Sequence, residues 1–292
     1  MTDWQDIEQQ ISDHTGRSFT SRCKRSVGGG SINDAYYISD NDQDYFVKLN
    51  RVSMLDMFEA ERDGLMAMSR SNTIRVPKAL FSGITHNQSF IVLEYITMTG
   101  LQQPEKMGEQ LAAMHQITEQ RFGWFRNNTI GATPQCNDWH SEWVEFWAEC
   151  RLGYQTELAG HNGLGKQAIK QCELLRSHLR DFFSDYSPEP SLLHGDLWGG
   201  NAAFDDSGQP VIFDPATYYG DREADIAMTE LFGGFSQDFY QAYKQTLPLD
   251  HGYKVRKILY NQYHILNHYN LFGGGYGMQA ERMTAQLLAE CR

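Results

Sequence analysis

The sequence predicts an α+β protein of two lobes, a small antiparallel sheet carrying one main helix followed by a larger, mainly helical lobe. Three observations lead there. Short apolar runs broken by polar turns fill the chain to about residue 96, which is strand and hairpin patterning. Beyond residue 100 the apolar residues recur at helical spacing. Within that helical part, one glycine-rich stretch, Ser191 to Asn201 (SLLHGDLWGGN), is followed by two short apolar runs around a polar turn. The shift near residue 100 divides the chain into lobes at 1–96 and 97–292, joined by a connector over about 94–100.

Bulk properties narrow the function classes. The chain has 292 residues, 41% of them apolar, and a formal charge of −12. That sign disfavours a general nucleic-acid or anionic-membrane binder, which needs a basic footprint. No apolar run reaches the roughly 18 residues of a membrane helix, and the polar start MTDWQDIEQQ is unlike a signal sequence. The expectation is a cytoplasmic protein, monomeric or weakly dimeric. Five scattered cysteines without a C-x-x-C pair disfavour structural disulfides and zinc.

In order, residues 4 to 13 suit a short helix with Trp4, Ile7 and Ile11 on one face, and the chain is then irregular until Val27. Gly28-Gly29-Gly30-Ser31 reads as a glycine-rich turn that feeds two strands, AYYIS and YFVKLN, joined by the turn DNDQD. Such glycines let backbone N–H groups approach phosphate oxygens. Lys48, on the second strand, shares a pleat face with Phe46, so its charge needs a partner. The helix from Met54 to Ser69 supplies one: Phe58, Glu61, Leu65 and Met68 share a stripe, and Glu59 falls off it. Two more strands follow Pro77 and end at Glu94-Tyr95-Ile96, whose backbone is positioned to bond an adenine edge.

The helical lobe opens with Met107, Leu111, Met114 and His115 on one amphipathic helix. FGWFRNNTIGATPQ reads as irregular loop, and Asn137-Asp138 as the N-cap of a helix carrying Trp139, Trp143, Phe146 and Trp147. A single helix is expected from Gly160 to Tyr186, broken by Ser187-Pro188-Glu189-Pro190.

SLLHGDLWGGN then places Asp196 and Asn201 on one tight loop. A phosphoryl-transfer site needs such an acid to accept the hydroxyl proton and such an amide to hold a metal. AAF and VIF pair across Asp205-Asp206-Ser207-Gly208, returning Asp214 to Asn201. Amide and carboxylate oxygens suit Mg²⁺.

The glycine turn, Lys48, Glu61, L-E-Y-I, H-G-D-L-W-G-G-N and F-D-P resemble the aminoglycoside phosphotransferase and choline kinase branch of the protein-kinase-like fold. H-G-D-L-W-G-G-N, F-D-P-A-T-Y-Y-G-D-R-E-A-D-I-A-M and L-N-H-Y-N-L-F-G-G-G-Y resemble more narrowly the fructosamine/ketosamine 3-kinase family, over nearly the whole chain. The resemblance implies Asp196 as base, Asn201 and Asp214 as Mg²⁺ ligands, and Lys48 with Glu61 as phosphate clamp. It implies ATP as phosphoryl donor and, as acceptor, the C3 sugar hydroxyl of a small ketosamine or a glycated protein lysine. Another amino-alcohol or aminoglycoside kinase, and a non-catalytic ATP-binding module, are the competing readings.

Departures from the wider fold matter. Gly195 stands where protein kinases carry an arginine that receives an activation-loop phosphate, the interval from Asp214 to Asp225 is short, and no A-P-E follows. A constitutively competent enzyme is expected. The ketosamine kinases often carry a redox-linked cysteine at the position of Ser31; serine here lacks that thiol. The expected substrate contacts are Trp198, His268, Asp221 and Glu223, with Asp225 and His194 supporting the catalytic loop.

Overall fold

A computed structural model describes residues 2–28, 32–98 and 100–291. Helix α1 (Trp4–Thr15) buries Ile7 and Ile11 against the first sheet, and Gly16 ends it in the left-handed region. That sheet has five strands, β1 (Cys23–Ser26), β2 (Asp34–Ser39), β3 (Asp44–Arg51), β4 (Ala79–Ile84) and β5 (Gln88–Glu94), in the order β1-β2-β3-β5-β4 with antiparallel pairs. β1 lies in the stretch expected to be irregular. Its four residues are all exposed, so it carries no burial signal and exists through pairing with β2.

Between β3 and β4, a 3-10 turn (Val52–Met54) leads into α2 (Leu55–Ser71), which packs Phe58, Leu65 and Met68 under the sheet. The expected helix therefore begins one residue later and ends two residues later than its apolar spacing indicated. β5 ends at Glu94, and the chain passes through the connector to α3 (Pro104–His115), where the proline occupies the first turn without losing a helical bond.

The larger lobe departs from expectation in three places. Phe122 to Gln135 is not wholly loop: β6 (Asn128–Ile130) and β7 (Thr133–Gln135) form a hairpin whose connection uses Gly131 at φ +61°. The aromatic helix begins at Trp143, so Asn137 and Asp138 do not cap it and Trp139 lies outside it. It runs as α4 (Trp143–Phe146), a wide π turn (Trp147–Gly153) and α5 (Tyr154–His161). The expected helix from Gly160 to Tyr186 splits, with α6 (Lys166–Ser177) after a Gly163–Gly165 break and a 3-10 segment (Leu179–Phe183) beyond.

Strand β8 (Ser191–Leu193) leads into the glycine-rich loop. The hairpin β9 (Ala202–Phe204) and β10 (Pro210–Ile212) follows, and β11 (Tyr218–Gly220) returns to pair with β8. Helices α7 (Glu223–Thr229), α8 (Gln237–Thr246), α9 (Tyr253–Phe272) and α10 (Tyr276–Glu290) complete the lobe. Its core joins Leu192, Leu193 and Ile212 to Leu111, Ile226, Leu259 and Leu266, so the loop stands on packed elements. Among the described residues, no helix is long and apolar enough to cross a membrane.

Candidate active site

The N-terminal lobe contributes a buried cation. Lys48 Nζ lies 2.7 Å from Glu61 Oε1 and also bonds Asp214 Oδ1. Burial opposes the charge on Lys48, but Asp214 and Glu61 outweigh it and raise the ammonium's pKa. Burial likewise raises Glu61, against the pull of Lys48. Strand pleat explains the lysine's direction and helical period that of the glutamate. Their approach to the other lobe depends on Gly64, one turn beyond Glu61: a Cβ there would lie 2.6 Å from Thr217 Oγ1. Gly28 is exposed at the start of the glycine turn; Gly29, Gly30 and Ser31 lie outside the described residues.

In the connector, the Glu94 carboxylate is taken by Arg75 Nη2 at 2.7 Å and by the Lys78 N–H at 3.1 Å. Tyr95 accepts from Arg25 Nη2 at 3.1 Å and packs edge-on against Tyr37, while Ile96 is buried. The side chains of Glu94 and Tyr95 are thus occupied in bracing the connector. Arg75 also bonds Asp205 and accepts the Ile212 N–H at its carbonyl, at 3.0 Å, which ties this region to the β9–β10 hairpin.

From the larger lobe, the catalytic-type loop is held from behind by Asp225. Its carboxylate accepts the His194 N–H at 2.7 Å and the Gly195 N–H at 2.8 Å, and meets His115 Nε2 at 3.2 Å. Burial pushes this carboxyl up, but the bond and charge of His115 and the other donors hold it below its ordinary value. The His194 backbone N–H points into Asp225, while its ring accepts the Asp196 N–H at Nδ1, at 3.2 Å, and donates from Nε2 to Phe213 O at 2.9 Å. That pattern fixes the neutral tautomer, in keeping with a pKa lowered by burial. Gly195 sits at φ +83°, and a Cβ would lie 2.1 Å from Ala216 O. Gly195→Ala is therefore expected to combine left-handed strain with a backbone clash, lowering stability by about 2–3 kcal/mol or more; a thermal melt reads it directly.

Asp196 stands at the loop's tip, partly open to solvent. Burial, then the charges of Asp214 and Asp225, push its carboxyl up to about 7, opposed by Asn201. Asn201 Nδ2 donates to Asp196 O at 2.9 Å and approaches Asp214 O at 3.4 Å, which leaves the amide oxygen available to a cation. Phe213 N–H bonds Asn201 O at 3.1 Å, so the hairpin does bring Asp214 back to Asn201. Asp214 adopts φ +58°, and its side chain is 47% exposed. An amide oxygen beside carboxylates, facing a lysine, fits a hard divalent cation and the phosphates it accompanies.

Asp221 and Glu223 correct the expectation that they face a substrate. Both are fully buried. Asp221 accepts from Tyr260 and, at 2.9 Å, from Tyr186, while Glu223 forms a two-pronged pair with Arg256 at 2.8 and 3.2 Å. Burial raises both carboxyls, Glu223 to about 7. They lock α7 to α9 and leave no carboxylate surface for a ligand. Trp198, by contrast, is 39% exposed. It meets Phe232 edge-on at 6.2 Å, and Phe232 meets His268 at 4.8 Å, forming an aromatic wall that begins two residues past Asp196. His268 Nδ1 donates to His264 O at 2.8 Å.

Sequence reasoning missed the residues that steady the segment after Asp214. Gln135 Nε2 donates to Ala216 O at 3.1 Å and Asn128 Nδ2 to Thr217 O at 2.8 Å, both from the unanticipated hairpin. Beneath them Arg151, fully buried, lies 4.0 Å from the Tyr218 ring centroid. The Gly131-Ala132 connection between short polar strands was the available signal for the hairpin; nothing local marks Arg151 as buried.

The fold and this constellation define a phosphotransferase of the protein-kinase-like class. The sequence matches the fructosamine kinase family over residues 3–290. A Synechocystis protein named "Probable ketoamine kinase" is 49% identical, covering 98% of this chain and 97% of its own. An Arabidopsis thaliana chloroplastic protein-ribulosamine 3-kinase is 45% identical, covering 87% and 79%. The crystal structure of a "Putative fructosamine-3-kinase" from Haemophilus somnus superposes with a TM-score of 0.90 at 31% identity, covering 98% of this chain and 97% of that one. An aminoglycoside phosphotransferase, solved in ternary complex with ADP and hygromycin B, shares the fold alone, with a TM-score of 0.64 at 15% identity over 98% of both chains. The chain belongs to the fructosamine kinase family.

Proposed function

We propose that this protein is an ATP-dependent kinase of ketosamines, phosphorylating the C3 hydroxyl of a fructosyl or ribulosyl group on an amine, whether free or on a protein lysine. The observation that carries the reading is Lys48 held between Glu61 and Asp214, with Asp196 and Asn201 on the facing loop. The names of the relatives support the acceptor, and the nucleotide complex of the distant fold neighbour supports the donor. The charge and the lack of a membrane helix among the described residues suit a cytoplasmic enzyme that binds no nucleic acid.

In this reading the backbone at Gly28 and at Glu94 to Ile96 borders the nucleotide, and Lys48 holds its phosphates, oriented by Glu61. Asn201 and Asp214 hold Mg²⁺, which supplies neutralisation of charge on the phosphate oxygens. Asp196 orients the sugar hydroxyl and accepts its proton as its oxygen bonds the γ-phosphorus, while the bond from that phosphorus to the bridging oxygen breaks and ADP leaves with the electron pair. His194 and Asp225 keep the Asp196 backbone in place. No side-chain rearrangement triggered by phosphorylation is required, because glycine replaces the phosphate-receiving arginine.

Trp198 and His268 form the acceptor side, the indole face stacking on the sugar or its cationic amine and the free Nε2 of His268 accepting a hydroxyl. Trp198→Ala is expected to raise KM for the ketosamine about 3- to 30-fold while leaving KM for ATP nearly unchanged. Equal losses for both substrates return the indole to a structural role. The function itself is tested by a coupled assay of ADP release across ribulosyl-amines, fructosyl-amines, aminoglycosides and choline. Preference for either amine class supports the proposal, and preference for an aminoglycoside or choline contradicts it.

A further inference from the structure

Two cysteines unused by the active site meet behind the β6–β7 hairpin. Cys136, which follows β7, is partly exposed; Cys150 is buried; their Sγ atoms are 3.2 Å apart. The π turn over Trp147–Gly153 explains the meeting. Its wide winding buries Cys150, Arg151, Leu152 and Gly153 in succession, so two adjacent side chains reach the same loop. Cys150 turns its thiol to Cys136, and Arg151 donates to Cys136 O at 2.6 Å and to Asn137 Oδ1 at 2.8 Å. A disulfide bond is about 2.05 Å long, so closing the pair requires the two sulfurs to approach by roughly an ångström. A proton acceptor is at hand: His140 Nε2 lies 3.8 Å from Cys150 Sγ and 3.9 Å from Glu149 Oε2.

We propose that Cys136 and Cys150 form a thiol–disulfide switch, closed by exchange with a small disulfide such as oxidised glutathione and opened by excess thiol. Access assigns the order. Burial, then the neighbouring Cys136, pushes the Cys150 thiol up to about 12, so it is a poor first nucleophile, whereas Cys136 is reached from solvent. The Cys136 thiolate attacks one sulfur of the small disulfide; that S–S bond breaks, and one small thiolate leaves with the electron pair and takes up a proton. Cys150 then passes its proton to His140 and attacks Cys136 Sγ, expelling the second small thiolate, which is protonated in turn. Two protein thiols are oxidised to one disulfide, and one small disulfide is reduced to two thiols.

The bond would brace the active site from behind. Gln135, adjacent to Cys136, and Asn128 hold the carbonyls of Ala216 and Thr217, just past Asp214. The bridged residues are 14 apart in sequence, and Lys48, Asp196, Asn201 and Asp214 all lie outside the bridged loop. Oxidation therefore stabilises the lobe while turnover persists.

The test equilibrates the full chain in a series of reduced and oxidised glutathione mixtures, traps free thiols by alkylation, and maps peptides by mass spectrometry beside thermal melts. The expected result is a linked Cys136–Cys150 peptide pair about 2 Da lighter than the sum of the two unalkylated thiol peptides, with neither cysteine alkylated and a Tm about 5 °C higher, reversed by dithiothreitol. Cys136→Ser, at the more exposed position, and Cys150→Ala should each remove the linked peptide and the redox response of Tm. Equal alkylation of Cys136 and Cys150 in oxidised and reduced samples would overturn the proposal. So would linkage to another cysteine, or a redox-dependent Tm rise that persists in Cys136→Ser. The readout needs no ketosamine turnover and stands or falls apart from the proposed acceptor.

Discussion

Asp196→Asn is expected to lower kcat by about 10³-fold while MgATP binding changes little. The asparagine keeps the shape and the bond from Asn201 but cannot accept a proton. In the proposed function the phosphate-binding side is built elsewhere, from Lys48, which pairs with Glu61 and Asp214, so nucleotide affinity is expected to survive the loss of turnover. Burial and the nearby Asp214 and Asp225 raise the Asp196 carboxyl to about 7 in the metal-free protein, against an ordinary 3.8. The direction of the pH effect follows. A raised carboxyl favours the protonated form in the fold, so its contribution to stability is greatest below pH 3.8 and is lost as pH rises towards 7. At pH 8 the metal-free variant should melt at or above the wild type. Wild-type activity should fall on the acid side as the base takes up its proton, and the variant's residual rate should lack that limb. A variant that loses turnover, nucleotide binding and Tm together would contradict the assignment of Asp196 as base.

Asp225→Ala carries the second large effect, this time on the fold. One buried carboxylate accepts two consecutive loop N–H groups and meets His115. Alanine leaves those donors buried without acceptors, a loss of about 3–5 kcal/mol. For a chain of this size a drop in Tm on the order of 10 °C is expected, with activity falling because the loop bearing Asp196 loses its anchor. Since the Asp225 carboxyl is held below 3.8, its contribution is fully present above that value and fades as the pH falls through the depressed one. The Tm gap between wild type and variant should therefore be constant near neutrality and narrow in acid. A gap that widens on acidification would contradict the role given to Asp225.

The parts of the site set by local periodicity were legible in the chain. Lys48 faces inward because pleat alternation puts it with Phe46, and Glu61 lies on the stripe of Phe58 and Leu65 because three- and four-residue steps share a helix face. The convergence of Asn201 and Asp214 follows from a short hairpin whose turn residues are explicit. Burial decided the rest. Asp221 and Glu223 read as substrate contacts in the sequence until Arg256, Tyr260 and Tyr186 arrive from distant parts of the chain to neutralise and cover them. The β6–β7 hairpin has three-residue strands, too short to show alternation, and gains its place by bonding Ala216 and Thr217. The Cys136–Cys150 pair depends on a π turn, which no spacing rule for an α-helix anticipates.

The central claim is most directly tested by the product formed from MgATP and ribulosyl-lysine, with fructosyl-lysine in parallel, analysed by phosphorus and carbon NMR. Phosphate on the C3 oxygen of the sugar, formed by the wild type and formed about 10³-fold more slowly with Asp196→Asn, is the predicted result. Phosphate at another position, or equal formation by the variant, would contradict it.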